Sequence, residues 1–162
     1  METRAPDTAV HASIVVDAPI ERAFSVFTEE IGSWWNPDHH IIEGELEEMV
    51  FEPRVGGHVY DRGVDGSECR WARVLAFEPP TRLLISWDID LQWRRESDPA
   101  KTSEVEVRFI AEDADRTRVE LEHRNLDRHG DGWEQTRDAV GSPGGWRAGV
   151  QHYADRISAA RT

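Results

Sequence analysis

A short apolar stripe near the end of the chain constrains the fold most. Its members recur at spacings of four, three and four, which is one face of an α-helix: Trp146, Val150, Tyr153 and Ile157. Upstream, Val119, Leu121 and His123 alternate with charged residues, as in a β-strand that has one dry and one wet face. The helix must cover something apolar, and the dry face of a sheet is the surface available within one domain. The two patterns together predict a long helix packed on an antiparallel sheet.

A second amphipathic helix is predicted near the N-terminus, directly after a strand at residues 11–16. Asp17 offers a side-chain oxygen as a helix cap, and Pro19 suits a first turn that needs no N–H partner. The apolar face again repeats at spacings of four, three and four: Ile20, Phe24, Phe27 and Ile31. Gly32 is expected to end or loosen this helix.

Between the two helices the pattern is that of antiparallel sheet. Candidate strands, separated by turns rich in Gly and Pro, cover residues 48–52, 58–61, 68–77 and 83–89. Residues 94–101 are expected to form a charged loop. Two alternating runs, at residues 105–109 and 119–123, are expected to pair as a hairpin through residues 112–115.

The C-terminal region is predicted to hold two helices. Residues 133–140 suit a short helix, which Gly141 interrupts. Ser142 can then cap a new helix with Pro143 in its first turn. The fold class that follows is α+β, with a curved antiparallel sheet of about six to seven strands around a long C-terminal helix and a shorter N-terminal helix.

Length and charge bound the function. The 162 residues fit one domain, with residues 1–9 as a flexible tail and residues 10–162 as the domain. The net charge of −13, without a cluster of Lys or Arg, argues against nucleic acid and against a membrane surface as partners. Cys69 stands alone, and the N-terminus lacks the basic start and apolar core of a signal peptide. A cytoplasmic location is the expectation, and a homodimer is left open.

The tryptophans are numerous for this length, and they are the first candidates for a binding site. They are Trp34, Trp35, Trp71, Trp87, Trp93, Trp133 and Trp146. Each offers a large apolar surface and one N–H donor, which suits either core packing or the wall of a pocket. Core packing is the simpler explanation for Trp87 and Trp146. Trp34 and Trp35 are the best pocket candidates, because they lie where the first helix leaves for the sheet edge.

His123 lies on the dry face of its predicted strand. A lone histidine there is either a hydrogen-bonded core residue or a group that orients a ligand, and it can act as a general base. Tyr60 is the second candidate for acid–base chemistry. No catalytic residue is assigned, since no nucleophile, phosphate loop or paired-carboxylate signature accompanies these two residues.

Asp38, His39 and His40 raise the question of a metal site. Adjacent histidines of an extended segment point to opposite sides, and zinc needs three or four converging ligands. Even with His58 and Glu52 added, nothing in the sequence sets a geometry. No metal and no cofactor is therefore predicted.

Among the polar residues of the central strands, Tyr60, Asp61 and Arg73, two are expected to face solvent. Both alternate sets of residues 68–77 contain apolar side chains, so the pattern leaves the face of Arg73 open. An inward Arg73 would need a carboxylate partner or an anionic ligand, because a bare buried charge is very costly. Glu52 is the first choice for that partner.

The order strand, helix, about six strands and long helix resembles the helix-grip fold, also called START-like, Bet v 1-like or SRPBCC. The motifs are closer still to the family of proteins like the C-terminal domain of the activator of Hsp90 ATPase. They are Val15-Val16-Asp17-Ala18-Pro19-Ile20-Glu21-Arg22-Ala23-Phe24, Gly56-Gly57, Val74-Leu75-Ala76-Phe77-Glu78-Pro79-Pro80-Thr81-Arg82-Leu83, Trp87, Val119-Glu120-Leu121-Glu122-His123 and Gly145-Trp146. The resemblance covers roughly residues 10–160. The Ser142-Pro143-Gly144 interruption departs from an unbroken family helix, and it is expected either to widen the mouth of a pocket or simply to restart the helix.

The resemblance implies a cavity between the sheet and the C-terminal helix. Trp34, Trp35, Trp71, Trp87 and Phe109 would form its apolar wall, Tyr60 and His123 would orient the ligand, and Trp146 would close the lid side. A void of about 300 Å³ or more would suit a small molecule. The first functional hypothesis is the binding of a small hydrophobic or aromatic molecule, without catalysis. An enzyme of the polyketide cyclase or dehydratase type is the second, and a protein-interaction module of the Hsp90 ATPase activator type is the third.

Overall fold

The computed structural model describes residues 8–35, 41–42 and 44–159. Within these residues, the strands are β1 (Val10–Val16), β2 (Leu46–Phe51), β3 (His58–Gly63), β4 (Glu68–Glu78), β5 (Arg82–Trp87), β6 (Ser103–Asp113) and β7 (Arg116–Arg124). The helices are α1 (Ile20–Thr28), α2 (Ile31–Trp34), α3 (Trp133–Val140) and α4 (Trp146–Ala159), with short 3₁₀ turns at Pro99–Lys101 and Leu126–His129. The predicted strands are thus confirmed, with ends that differ from the prediction by at most four residues.

The strands form one antiparallel sheet in the order β1-β7-β6-β5-β4-β3-β2. The predicted hairpin of β6 and β7 is confirmed, and it pairs Val105 with His123 and Val107 with Leu121. β4 pairs with β3 through residues 68–73 and with β5 through residues 74–78. Register shifts interrupt both pairings of β4, at Val59 and Tyr60 of β3 and at Val74 and Ala76 of β4, and irregularities of this kind bend a sheet. The α+β helix-grip fold is therefore confirmed.

The core lies between the inner face of the sheet and helices α1 and α4. The apolar positions of the alternating strands point inward and are buried: Leu83, Ile85, Val105, Val107, Val119 and Leu121. The whole predicted stripe of α4 is buried with them. Tyr153 lies at the centre of this contact, where its hydroxyl donates to the carbonyl of Ala23 over 2.6 Å and its ring meets Phe27 and Trp34. Burial raises the pKa of Tyr153. Most of α4 therefore covers a solid interior.

The first helix ends earlier than predicted. α1 ends at Thr28, whose hydroxyl donates to the carbonyl of Phe24, and α2 begins at Ile31. Gly32 lies inside α2 instead of ending a helix, and a Cβ at this position would come within 3.2 Å of the Cβ of Met49. The close passage of β2, and not a helix end, explains this glycine.

The predicted cap at Asp17 is wrong. Pro19 itself occupies the N-cap position of α1, and no side chain of the described residues caps the helix. Oδ1 of Asp17 instead lies 3.8 Å from Nε of Arg116, and the hydroxyl of Thr117 donates to the carbonyl of Ala18. These contacts fasten the start of α1 to β7.

The second C-terminal helix starts later than predicted. Ser142 does not cap it and Pro143 does not open it, since α4 begins at Trp146. The Ser142 hydroxyl donates to the carbonyl of Ala139 over 2.7 Å, so it serves the end of α3. Residues 142–145 form the turn between the two helices. In the described part of the chain, no helix has both the length and the apolar run needed to cross a membrane.

Candidate functional site

A cavity of about 460 Å³ opens at the N-terminal end of α4. This volume lies within the range of pockets that hold small molecules. The described residues that line it are Trp34, Trp35, Ile41, Trp87, Ile89, Trp93, Ala139, Val140, Ser142, Gly144, Gly145, Trp146, Ala148 and Gly149. The hollow thus lies under the first turn of α4 and the turn before it, while the rest of α4 rests on packed side chains.

The indoles of the cavity come from separate elements. α2 ends with Trp34, whose Nε1 donates to the carbonyl of Val26, and Trp35 follows it. β5 ends with Trp87, and α4 begins with Trp146. The ring centroids of Trp146 lie 5.7 Å from Trp35 and 5.8 Å from Trp87, and both pairs meet edge to face. Edge-to-face contact is one of the arrangements that aromatic pairs prefer, so the indoles of the wall support one another.

Four of the predicted ligand-binding residues, Trp34, Trp35, Trp87 and Trp146, are brought together in this lining. Trp71 lies behind them, with its ring against Trp35 and Trp87.

Phe109 does not line the cavity as the sequence suggested. Its ring packs against Phe24 and Phe27 under α1, because β6 runs below that helix at this level.

The prediction that two of Tyr60, Asp61 and Arg73 face solvent is wrong, since Tyr60 and Asp61 are both buried. The Tyr60 hydroxyl accepts from Nη2 of Arg62 over 3.1 Å, and the guanidinium groups of Arg62 and Arg70 lie 5.8 and 5.9 Å from the centre of its ring. The two arginines cover the ring away from the cavity. Tyr60 therefore lies outside the described lining of this cavity.

Glu52 is not the partner of Arg73. Nε and Nη2 of Arg73 each donate to a carboxylate oxygen of Asp88 over 3.1 Å, and Nη2 also donates to the hydroxyl of Thr102. Asp88 follows β5, which lies beside the second half of β4, whereas Glu52 accepts from the backbone N–H of His58. Arg73 thus ties both ends of the loop after β5 to β4, one through Asp88 and the other through Thr102.

His123 is fully buried behind the cavity wall and holds it in place. Its Nδ1 accepts from the indole N–H of Trp146 over 3.0 Å, and its Nε2 lies 2.8 Å from the hydroxyl of Ser103. That hydroxyl lies 2.7 Å from Nε2 of His129. The ring of His123 also packs against Trp87, with centroids 4.9 Å apart. His123 thus acts on the cavity through Trp146 and does not line it.

The direction of these hydrogen bonds follows from the indole. An indole N–H only donates, so Nδ1 of His123 carries no proton and Nε2 of the neutral ring donates to Ser103. The Ser103 hydroxyl then donates to His129. Burial, with the neighbouring His129, lowers the pKa of His123 to about 3, and burial lowers the pKa of His129.

The depressed pKa of His123 predicts a loss of stability in acid. The unfolded chain takes up this proton near pH 6.5, while the folded chain does so only near pH 3, so the free energy of unfolding falls as the pH drops between these values. From this residue alone, the loss between pH 7 and pH 5 should be about 2 kcal/mol. Urea unfolding at the two pH values measures it, with His123→Gln as the variant that should lack this part of the change. An NMR spectrum that shows His123 protonated at pH 5 in the folded state would contradict the prediction.

The lining is almost free of ionisable groups. Among its described residues none carries an acid or a base, and Ser142 has the only side-chain hydroxyl. No group of three or more His, Cys, Asp or Glu side chains converges in the described ranges. Asp38, His39 and His40, considered above as metal ligands, lie outside the described residues. The described wall therefore offers apolar contact and orientation, with no acid–base pair.

Sequence reasoning did not assign Trp93 to the wall, and it left open whether the turn between α3 and α4 widens the pocket mouth or only restarts the helix. Trp93 was counted among the tryptophans, but the charged residues around it form no alternating pattern that predicts on which side of the chain it lies. The signal that could have found the turn is the run Gly144-Gly145 followed by Gly149, because glycines close together let backbone approach a ligand.

Comparisons with known proteins agree with this fold. A family model described as activator of Hsp90 ATPase homolog 1-like protein matches residues 17–160. Among solved structures, an anthrahydroquino-γ-pyrone synthase, Txn09, complexed with SUM, is 40% identical over 91% of this chain and 95% of that chain, with a TM-score of 0.63. CalC from Micromonospora echinospora, described as a self-sacrificing resistance protein, is 27% identical over 95% of this chain and 96% of that chain, with a TM-score of 0.65.

More distant structures share the fold alone. Protein NE0264 from Nitrosomonas europaea is 14% identical over 94% of this chain and 96% of that chain, with a TM-score of 0.66. No curated protein matches the chain. The family model spans most of the sequence and the 40% identical structure spans it almost end to end, so this chain belongs to the activator of Hsp90 ATPase homolog 1-like family.

Proposed function

We propose that this protein binds a flat, aromatic molecule of the polyketide type in the indole-lined cavity. The observation that carries the proposal is the cavity itself, with about 460 Å³ of space and a wall that includes five tryptophans. Pockets of this size and lining hold small apolar molecules, and indole faces suit flat rings better than flexible chains.

The similarity to Txn09 supports the same class of ligand. That protein is named for a fused-ring product that carries a γ-pyrone, and it is 40% identical to this chain. A fused, planar product of this kind is apolar on both faces and polar at its edges. The described wall of this cavity matches such a molecule, because its contacts are mainly apolar and its polar groups are few.

Ring closure on such a molecule is the second candidate function, and the identity to a synthase favours it. The described lining has no acid or base, so the chain would act by holding a flexible precursor in a flat conformation and by excluding water. Its test is conversion of an uncyclised aryl polyketone followed by chromatography. A rate no higher than that in buffer would reject catalysis and leave binding.

The test of binding uses emodin, an anthraquinone, with Gly149→Leu and Gly149→Ala as matched variants. Gly149 lines the cavity inside α4, and the nearest atom to a Cβ there is Cε3 of Trp146 at 3.8 Å. Alanine should raise the free energy of unfolding by about 1 kcal/mol through helix propensity and leave room for the ligand. Leucine should place its larger side chain in the cavity and weaken emodin binding by about ten-fold or more, without unfolding the protein.

Quenching of tryptophan fluorescence gives the dissociation constant, and thermal unfolding gives the stability. Emodin at about 100 times its dissociation constant should stabilise the wild-type protein by roughly 2.7 kcal/mol. Palmitate serves as the flexible comparison ligand. Equal affinities of the two Gly149 variants, or a preference for palmitate, would reject the proposal. If no small molecule binds or co-purifies, stimulation of Hsp90 ATPase becomes the function to test.

A further inference from the structure

Trp93 differs from the other indoles of the cavity. It is 45% exposed, whereas Trp34, Trp87 and Trp146 are buried. No ring contact joins it to another aromatic residue in the described part of the chain. An indole that is exposed to water contributes less hydrophobic stabilisation than a buried one. The exposed indole of Trp93 is part of the cavity lining.

The backbone at Trp93 is also strained. Its φ of 61° lies in the left-handed region, which a bulky side chain rarely adopts and which costs roughly 1–2 kcal/mol. The conformation persists because the loop around it is built to hold it. Oδ1 of Asp90 accepts from the N–H groups of Gln92 and Arg94, each over 2.9 Å, and the N–H of Trp93 donates to the carbonyl of Asp90 over 3.1 Å.

The same loop is tied firmly to the sheet. Nε of Arg95 donates to the carbonyl of Arg70 over 2.9 Å, and the N–H of Glu96 donates to the carbonyl of Asp88 over 2.8 Å. Asp88 is in turn paired with Arg73. Trp93 is therefore presented from a fixed support, and among the described residues no aromatic ring packs against it.

We propose that Trp93 is the ligand clamp of this cavity, a specificity-determining residue that stacks on one face of a bound planar ring. The inference rests on the proposed binding function and adds the residue that selects flat ligands over flexible ones. A bound ring would cover the exposed face of the Trp93 indole, and the burial of this apolar surface would favour binding.

The test compares Trp93→Asn and Trp93→Phe with Trp133→Phe, which removes an indole that does not line the cavity. Asparagine tolerates the left-handed conformation. Trp93→Asn should therefore keep or raise the melting temperature of the ligand-free protein and weaken emodin binding by about ten-fold. Trp93→Phe and Trp133→Phe should bind emodin within about three-fold of wild type, because each keeps an aromatic ring at position 93.

A direct signal comes from fluorotryptophan-labelled protein, in which the resonance missing from Trp93→Phe is assigned to Trp93. That resonance should shift on addition of emodin. If wild-type protein binds emodin and the Gly149 variants differ as expected, but Trp93→Asn binds like wild type, the clamp is rejected and the binding function stands. A lower melting temperature of Trp93→Asn with unchanged affinity would likewise make Trp93 a structural residue. If wild-type protein does not bind emodin, both proposals fail together.

Discussion

Gly145→Ala is expected to lower the free energy of unfolding by about 4 kcal/mol, while Gly144→Ala, one residue earlier, should change it by less than about 0.5 kcal/mol. A Cβ on Gly145 would overlap the carbonyl oxygen of Val140 and lie 2.7 Å from that of Ala139. Both obstacles are backbone at the end of α3, so no side-chain rotation relieves them. A Cβ on Gly144 meets nothing within 4 Å.

Urea unfolding of the two variants measures the difference. Both glycines line the cavity, so each variant adds a methyl group to its wall. Only the alanine at position 145 should also destabilise the turn, so the comparison of the two variants shows how much stability depends on the turn. Equal stabilities of the two variants would mean that the start of α4 can move away from α3, and the position of Trp146 in the wall would then be adjustable.

The second large effect is expected for His123→Leu, which should lower the free energy of unfolding by about 3 kcal/mol. Leucine removes the acceptor for the buried indole N–H of Trp146 and a partner of the Ser103 hydroxyl. A buried donor left without a partner costs about 1–3 kcal/mol, and the changed shape behind Trp87 adds to it.

His123→Gln is the matched variant, because its amide oxygen can accept from Trp146 and its amide nitrogen can donate to Ser103. It should recover at least half of the loss. Emodin affinity should fall with His123→Leu, since Trp146 loses the bond that orients it, and should recover with His123→Gln. Equal stabilities for the leucine and glutamine variants would show that shape alone, and not the hydrogen bonds, makes this position important.

Much of the architecture could be predicted because it follows from periodicity. The alternation at residues 105–109 and 119–123 predicted the hairpin, and the spacing of four, three and four predicted the buried face of α4. Element ends were less predictable. Asp17 and Ser142 have the chemistry of helix caps, yet contacts with Arg116 and Ala139 take their side chains elsewhere. A local rule gives no weight to a distant partner that competes for the same atoms.

The candidate site was predictable only in part. The tryptophans were identified as the material of a pocket, and Trp34 and Trp35, the best candidates from the sequence, both line it. Trp71 was assigned to the same wall but lies behind it, against Trp35. Asp88 could not be identified as the partner of Arg73, because their contact requires the pairing of β4 with β5. The place of Trp93 in the wall could not be predicted either, because it depends on a loop conformation that Asp90 stabilises.

By itself, the sequence determined that a long amphipathic helix packs on an alternating antiparallel sheet, because residue spacing along one element decides which side chains share a face. Only the tertiary structure decided that the interior is solid under Tyr153 and hollow under Trp146. The reason is that a cavity forms where several elements fail to fill the same space. That depends on the curl of the sheet at β4 and on the point where α4 begins, and neither is encoded in the period of any single segment.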